Sequence, residues 1–225
     1  MSDLAIGKLR GIQELANDKG IFTILAMDHR GSLQRQLATA GKPEATYDEM
    51  VAFKLLATRA LSPYASAVLL DPEVGAAQAI ASGTLSGHKG FLVSLEATGY
   101  EGDPKARRSG FVRNWSVEKI KRMGASAVKL LLYYNGTAST AAEQESLVKQ
   151  AAEDSRAHDI PFLLETVTYE VEGGEDKATL VIESARRLAP MGVDIYKAEF
   201  PGLLDQPEKQ LLDNCRRLTD VLDDI

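Results

Sequence analysis

A handful of charged residues interrupt runs that are otherwise apolar. Asp28 closes the run Ile21–Asp28, Lys129 stands inside Ser126-Ala127-Val128-Lys129-Leu130-Leu131-Leu132, and Glu165 interrupts Phe162-Leu163-Leu164-Glu165-Thr166-Val167. Lys197 and Glu199 share Ile195-Tyr196-Lys197-Ala198-Glu199-Phe200-Pro201. Burying a charge is costly unless it is paired or at work. A lysine amine that attacks a carbonyl must first be neutral, and a free lysine, with a pKa of about 10.4, is protonated near neutral pH. Desolvation and a second cation nearby both favour the neutral amine. Lys197 is the candidate nucleophile, and Lys129 the candidate second cation. Glu165 is the candidate proton shuttle for carbinolamine dehydration and C–C cleavage.

Each of these residues also has a plainer reading. A strand lysine and a strand glutamate can form a buried ion pair that holds register, which applies to Lys129 with Glu165 and to Lys197 with Glu199. Asp28, in Asp-His-Arg-Gly-Ser, can cap the following helix. His29 reads as a loop histidine near the site, and His88 and His158 as surface residues. Three scattered histidines without ligand spacing give no expectation of a catalytic metal, and no cofactor is expected. Arg107-Arg108 can hold a phosphate or form a solvated loop pair.

The elements that must position these groups are legible as six strand-like runs: Ile21–Asp28, Ala65–Asp71, Phe91–Ala97, Ala125–Tyr134, Pro161–Thr168 and Val193–Phe200. Several are almost continuously apolar, as in strands buried on both faces. Helical patterns fall between them at Tyr47–Ala60, Gly75–Gly83, Ser116–Met123, Ala141–His158 and Lys177–Leu188, with Gln206–Asp223 last. Strand and helix in alternation imply parallel βαβ units and an α/β fold. The turn after the first strand is Met-Asp-His-Arg-Gly-Ser, which lacks the Gly-x-Gly-x-x-Gly fingerprint, so a (β/α) barrel is preferred to a doubly wound sheet. Side chains alternate along a strand, so Lys197 and Glu199 share a face. In a closed barrel Asp28, Lys129, Glu165 and Lys197 would converge at one mouth. The polar loops Gly99–Arg113 and Glu170–Lys177 follow strands and belong at that end.

Composition sets the outer limits. The 225 residues are 44% hydrophobic and 26% charged, with a net charge of -6. An acidic surface argues against nucleic-acid and membrane partners, while leaving room for a local pocket that binds a phosphorylated substrate. Cys215 is the one cysteine, so no internal disulfide forms and a reducing compartment fits. The N-terminal residues lack the apolar run of a signal peptide, and a cytoplasmic location is expected.

Five motifs are recognisable in order: Ala26-Met27-Asp28-His29-Arg30-Gly31-Ser32-Leu33, Leu69-Leu70-Asp71-Pro72-Glu73-Val74-Gly75, Val128–Tyr134, Phe162–Glu165 and Asp194–Pro201. Together they resemble the tagatose 1,6-bisphosphate aldolase family, which also includes sulfofructose 1-phosphate aldolases. The resemblance implies a TIM barrel, (β/α)8, and metal-independent class I aldol cleavage. It implies Lys197 as Schiff-base lysine, Glu165 as proton shuttle, and Asp28 and Lys129 as substrate-contacting residues. The products would include dihydroxyacetone phosphate or a close analogue. Those enzymes often carry Asp-Gln-Arg where this chain has Asp28-His29-Arg30, so His29 is placed among the sugar contacts. Asp-Pro-Glu-Val-Gly resembles the tagatose branch, and the Ala60–Ala67 run is shared with the sulfofructose branch.

Family barrels continue with a seventh and an eighth strand, whereas this sequence ends at Leu222-Asp223-Asp224-Ile225. The expectation is a single barrel domain over residues 1–225, truncated to about six βα units and drawn to oligomerise, because unclosed sheets expose edge strands. Two other functions remain open at this point. One is an inactive truncated barrel serving as a binding or oligomerising subunit. The other is a barrel isomerase with Glu165 as base.

Overall fold

The computed structural model describes residues 4–38, 41 and 44–223. The first three residues, and Asp224 and Ile225 at the end, lie outside the described residues. Six strands, β1 (Ile24–Met27), β2 (Ala67–Leu70), β3 (Gly90–Ser94), β6 (Ala127–Tyr134), β7 (Phe162–Thr168) and β8 (Ile195–Lys197), form one sheet in chain order. The register resolved for β1–β2, β2–β3, β3–β6 and β7–β8 is parallel throughout. Parallel neighbours require a crossover, and helices supply it: α3 (Tyr47–Leu61), α4 (Ala76–Ala81), α5 (Val117–Arg122), α6 (Ala141–Ala157) and α7 (Lys177–Leu188). The α/β alternation read from the sequence is therefore present.

Local chemistry explains where the helices begin. The Thr46 hydroxyl accepts the N–H of Glu49, while the Glu49 carboxylate accepts the N–H of Thr46, a reciprocal cap at the start of α3. Ser116 caps α5 through the N–H of Lys119, and Asp176 caps α7 through the N–H of Thr179.

The chain forms two compact units. One takes Met1–Gly99, Phe111–Lys129 and Arg156–Pro161; the other takes Tyr100–Gly110, Leu130–Ser155 and Phe162–Ile225. In the first unit, β2 and β3 are buried along their whole length. A helix not anticipated from the sequence, α1 (Ile6–Leu15), lies against the N-terminal ends of β3 and β6. Glycines allow this approach: a Cβ on Gly11 would stand 2.2 Å from the Ser126 carbonyl oxygen, and one on Gly90 would stand 2.0 Å from that of Glu14. A further helix, α2 (Gly31–Gln36), follows β1.

In the second unit, β7 and β8 pair and α7 packs against α8 (Glu208–Leu222). The polar loop after β3 contains a hairpin, β4 (Glu101–Asp103) with β5 (Ala106–Arg108), also not anticipated. Its exposed residues carry no apolar alternation that would mark strands.

All six strands are shorter than the runs expected for them, β1 and β8 most of all. β1 begins at Ile24 because Ile21 is held in a turn by the side-chain oxygen of Asn17. β8 ends at Lys197, ahead of Pro201, which has no N–H to continue a ladder.

Candidate active site

In the first unit, Lys129 is fully buried on β6. Its Nζ donates to Asp28 Oδ2 at 2.7 Å and to Glu96 Oε1 at 2.8 Å. Asp28 directly follows β1 and Glu96 lies just past β3, whose last residue, Ser94, is paired in register with Lys129, the third residue of β6. Burial pushes the Asp28 carboxyl up, but the Lys129 ammonium and its hydrogen bond outweigh that and hold it below the ordinary carboxylate range. The alternative reading of Asp28 as a helix cap is not what the structure shows: Arg30 occupies the N-cap of α2, without a side-chain cap. His29 is exposed beside Asp28, and its charge contributes to lowering the Asp28 carboxyl.

Residues that sequence reasoning passed over surround this pair. Buried Arg30 donates to the Glu96 carbonyl at 2.6 Å and to Glu73 Oε2 at 2.9 Å. Lys54 of α3 pairs with Asp71, both side chains fully buried. Burial pushes the Lys54 amine down and the Asp71 carboxylate opposes it. The other Asp71 oxygen accepts the N–H groups of Glu73 and Val74, which shapes the turn after β2. Glu96 carried the same signal as Asp28, a carboxylate at the end of an apolar run, and was legible by that rule.

In the second unit, Glu165 and Lys197 are directly paired positions of the parallel strands β7 and β8. Lys197 Nζ lies 2.5 Å from Glu165 Oε1. The Lys197 side chain is 50% exposed and that of Glu165 18%. Glu199 pairs with a lysine that the sequence did not single out. Its Oε1 is 2.6 Å from Lys177 Nζ, and its Oε2 accepts the N–H and hydroxyl of Thr168 at 2.6 and 2.7 Å. Burial raises the Glu199 carboxyl, but Lys177 and the Thr168 donors hold it below its ordinary value.

Arg108 forms an exposed bridge to Glu143 at 2.9 Å, as a solvated loop residue would. His88 is exposed and His158 partly buried. Among the described residues, no cluster of three or more His, Cys, Asp or Glu could hold a metal ion. No helix of the described residues is long and apolar enough to cross a membrane.

Residues 22–221 match the profile of the DeoC/LacD family aldolases. The chain is 34% identical over 213 residues to the tagatose 1,6-diphosphate aldolase of Streptococcus agalactiae serotype V, covering 89% of this chain and 65% of that protein. It is 34% identical over 206 residues to the tagatose 1,6-diphosphate aldolase of Staphylococcus aureus strain bovine RF122, covering 86% and 62%. The chain thus spans less than two thirds of these relatives' length. Among solved structures it is similar to an archaeal fructose 1,6-bisphosphate aldolase, with a TM-score of 0.67 at 18% identity over 96% of this chain and 76% of that one. It is also similar to the fructose-bisphosphate aldolase of Slackia heliotrinireducens, with a TM-score of 0.68 at 12% identity over 96% and 65%. A Schiff-base-forming fructose-1,6-bisphosphate aldolase superposes with a TM-score of 0.58 at 18% identity, over 94% and 87%. These structural likenesses bear out the fold expected from the sequence, a (β/α) barrel represented here by six parallel strands. The chain belongs to the DeoC/LacD family of aldolases.

Proposed function

We propose that this chain carries the covalent machinery of a class I, Schiff-base aldolase acting on a ketose phosphate, with Lys197 as nucleophile and Glu165 as proton shuttle. The observation that supports this most is the 2.5 Å contact between Lys197 Nζ and Glu165 Oε1. Glu165 takes a proton from the Lys197 ammonium, and the neutral amine attacks C2 of the ketose to give a carbinolamine. The protonated Glu165 then returns a proton to the departing hydroxyl, which leaves as water. Glu165, ionised again, takes the C4 hydroxyl proton as the electron pair of the C3–C4 bond moves to the iminium. An aldehyde departs, and an enamine remains on Lys197. Protonation at C3 and hydrolysis release the second product and restore the amine.

Asp28, His29 and Lys129 are the proposed substrate-contacting residues. Lys129, fully buried and bonded to Asp28 and Glu96, fixes the Asp28 carboxylate in place at low reorganisation cost. The substrate class we propose is a ketose 1,6-bisphosphate such as tagatose 1,6-bisphosphate, supported by the names of relatives at 33–34% identity. Dihydroxyacetone phosphate and a triose phosphate are then the products. Sulfofructose 1-phosphate is the competing substrate, and a parallel assay of the two compounds discriminates them. The isomerase reading, with Glu165 as base and no imine, requires turnover to survive Lys197→Arg. Mass spectrometry after borohydride reduction in the presence of tagatose 1,6-bisphosphate tests the imine directly. The expected adduct lies on the peptide containing Lys197.

A further inference from the structure

The proposed chemistry leaves the charge of the β4–β5 hairpin unused. Arg107 lies on β5. Its backbone N–H donates to the Tyr169 hydroxyl at 3.2 Å and its Nε to the Pro104 carbonyl at 2.9 Å. The guanidinium carbon is 4.5 Å from the centre of the Tyr100 ring, 4.6 Å from that of Tyr169 and 5.5 Å from that of Tyr133. Neighbouring bonds anchor the hairpin: the Ser109 N–H donates to Gln144 Oε1 at 2.9 Å, and the Tyr133 N–H donates to the Ser109 hydroxyl at 3.0 Å. Stacking engages the face of a guanidinium and leaves its in-plane N–H fork available for an oxyanion.

A cavity of about 290 Å³ borders Arg107, Thr168, Tyr169, Glu170, Glu175 and Lys177. Of its two cations, Lys177 is paired with Glu199. Arg107 has no carboxylate partner among the described residues. The acids in the wall are already engaged. Glu175 accepts from Asn135 and from the N–H groups of Val171, Glu172 and Gly173, and Glu170 accepts the N–H of Gly174.

The position of this cavity fits the far end of a sugar chain. Thr168 and Tyr169 follow Glu165 by three and four residues, roughly 10–13 Å along an extended strand. A ketohexose held through C2 by Lys197 extends four further carbons and a terminal oxyanion, and the Arg107 side chain reaches from the hairpin toward that end. We propose that Arg107, set among Tyr100, Tyr133 and Tyr169, is a specificity-determining residue that binds the terminal oxyanion at C6. This deepens the Schiff-base reading and rests on it for the position of C2.

The test is calorimetric titration of the chain with tagatose 6-phosphate and with unphosphorylated tagatose. The wild-type chain prefers the 6-phosphate by about tenfold or more, as expected for a charge-assisted bidentate contact. Arg107→Gln brings the ratio of the two affinities close to one. Arg107→Lys keeps the charge without the planar fork, and lowers the ratio less; it supplies the answer if the glutamine variant does not fold. A wild-type chain without preference, or an unchanged ratio in whichever variant folds, overturns the proposal. Borohydride trapping is read separately. A lost Lys197 adduct with the 6-phosphate preference intact removes the imine reading and leaves the Arg107 site standing.

Discussion

Lys197 and Glu165 occupy directly paired positions of two parallel strands, and their side chains meet at 2.5 Å. Neither rotamer freedom nor loop motion is needed to bring amine and carboxylate together, because strand register already does so. A site built on strands in this way is more finely placed than one built on loops.

Replacing Glu165 with Gln keeps the shape of that pair and removes the proton carrier. The expected result is a fall in kcat of about 10²–10⁴-fold, the range for loss of a general acid–base group. KM should change far less. Steady-state kinetics on tagatose 1,6-bisphosphate measure both, and a KM effect with kcat intact would reassign Glu165 to binding.

Acid stability follows from the depressed carboxyls of Asp28 and Glu199, whose ordinary values are 3.8 and 4.5. A carboxyl lowered by folding stabilises the chain above its unfolded value, and that stabilisation is lost as pH falls through the folded value. The losses therefore begin near pH 4.5 for Glu199 and near 3.8 for Asp28 and continue below. Asp28→Asn and Glu199→Gln should each flatten the decline of melting temperature with acidification. Curves that run parallel to wild type would contradict this.

The Lys54–Asp71 pair has both partners fully buried. Lys54→Met leaves the Asp71 charge without its counterion, and a loss of about 3–5 kcal/mol in unfolding free energy is expected. Adding Asp71→Asn should recover part of it, because the amide oxygen still accepts from Glu73 and Val74. Denaturant titrations of the single and double variants measure the recovery. A double variant as unstable as the single one would show that the charge was not the cause.

Gly11 and Gly90 let α1 approach the strand ends. A methyl at either meets backbone atoms at 2.2 and 2.0 Å, which cannot move aside as a side-chain tip would. Gly11→Ala and Gly90→Ala should each destabilise by about 1–3 kcal/mol, the range for overpacking. Thermal melts of the two variants check this, and unchanged midpoints would show that α1 docks less tightly than described.

The βα alternation and the candidate lysines were legible because buried parallel strands are written as apolar runs, against which Lys129, Glu165 and Lys197 stand out. The partners were harder to read. Glu96 and Arg30 meet Lys129 and its neighbours only through strand order, and Lys177 reaches Glu199 only through the way α7 follows β7. Lys54 sat in the sequence as a break in a helical apolar stripe, with nothing local to name Asp71 as its counterion. The hairpin around Arg107 was invisible because its strands are short and polar, and two of the three tyrosines around Arg107, Tyr133 and Tyr169, are distant in sequence.

The central claim is that Lys197 condenses with a ketose. Reduction with borohydride in the presence of tagatose 1,6-bisphosphate, followed by peptide mass spectrometry, reads that bond. The account predicts a substrate-dependent mass increase confined to the Lys197 peptide and absent in Lys197→Arg. An adduct on another lysine, or turnover with no adduct anywhere, would contradict it.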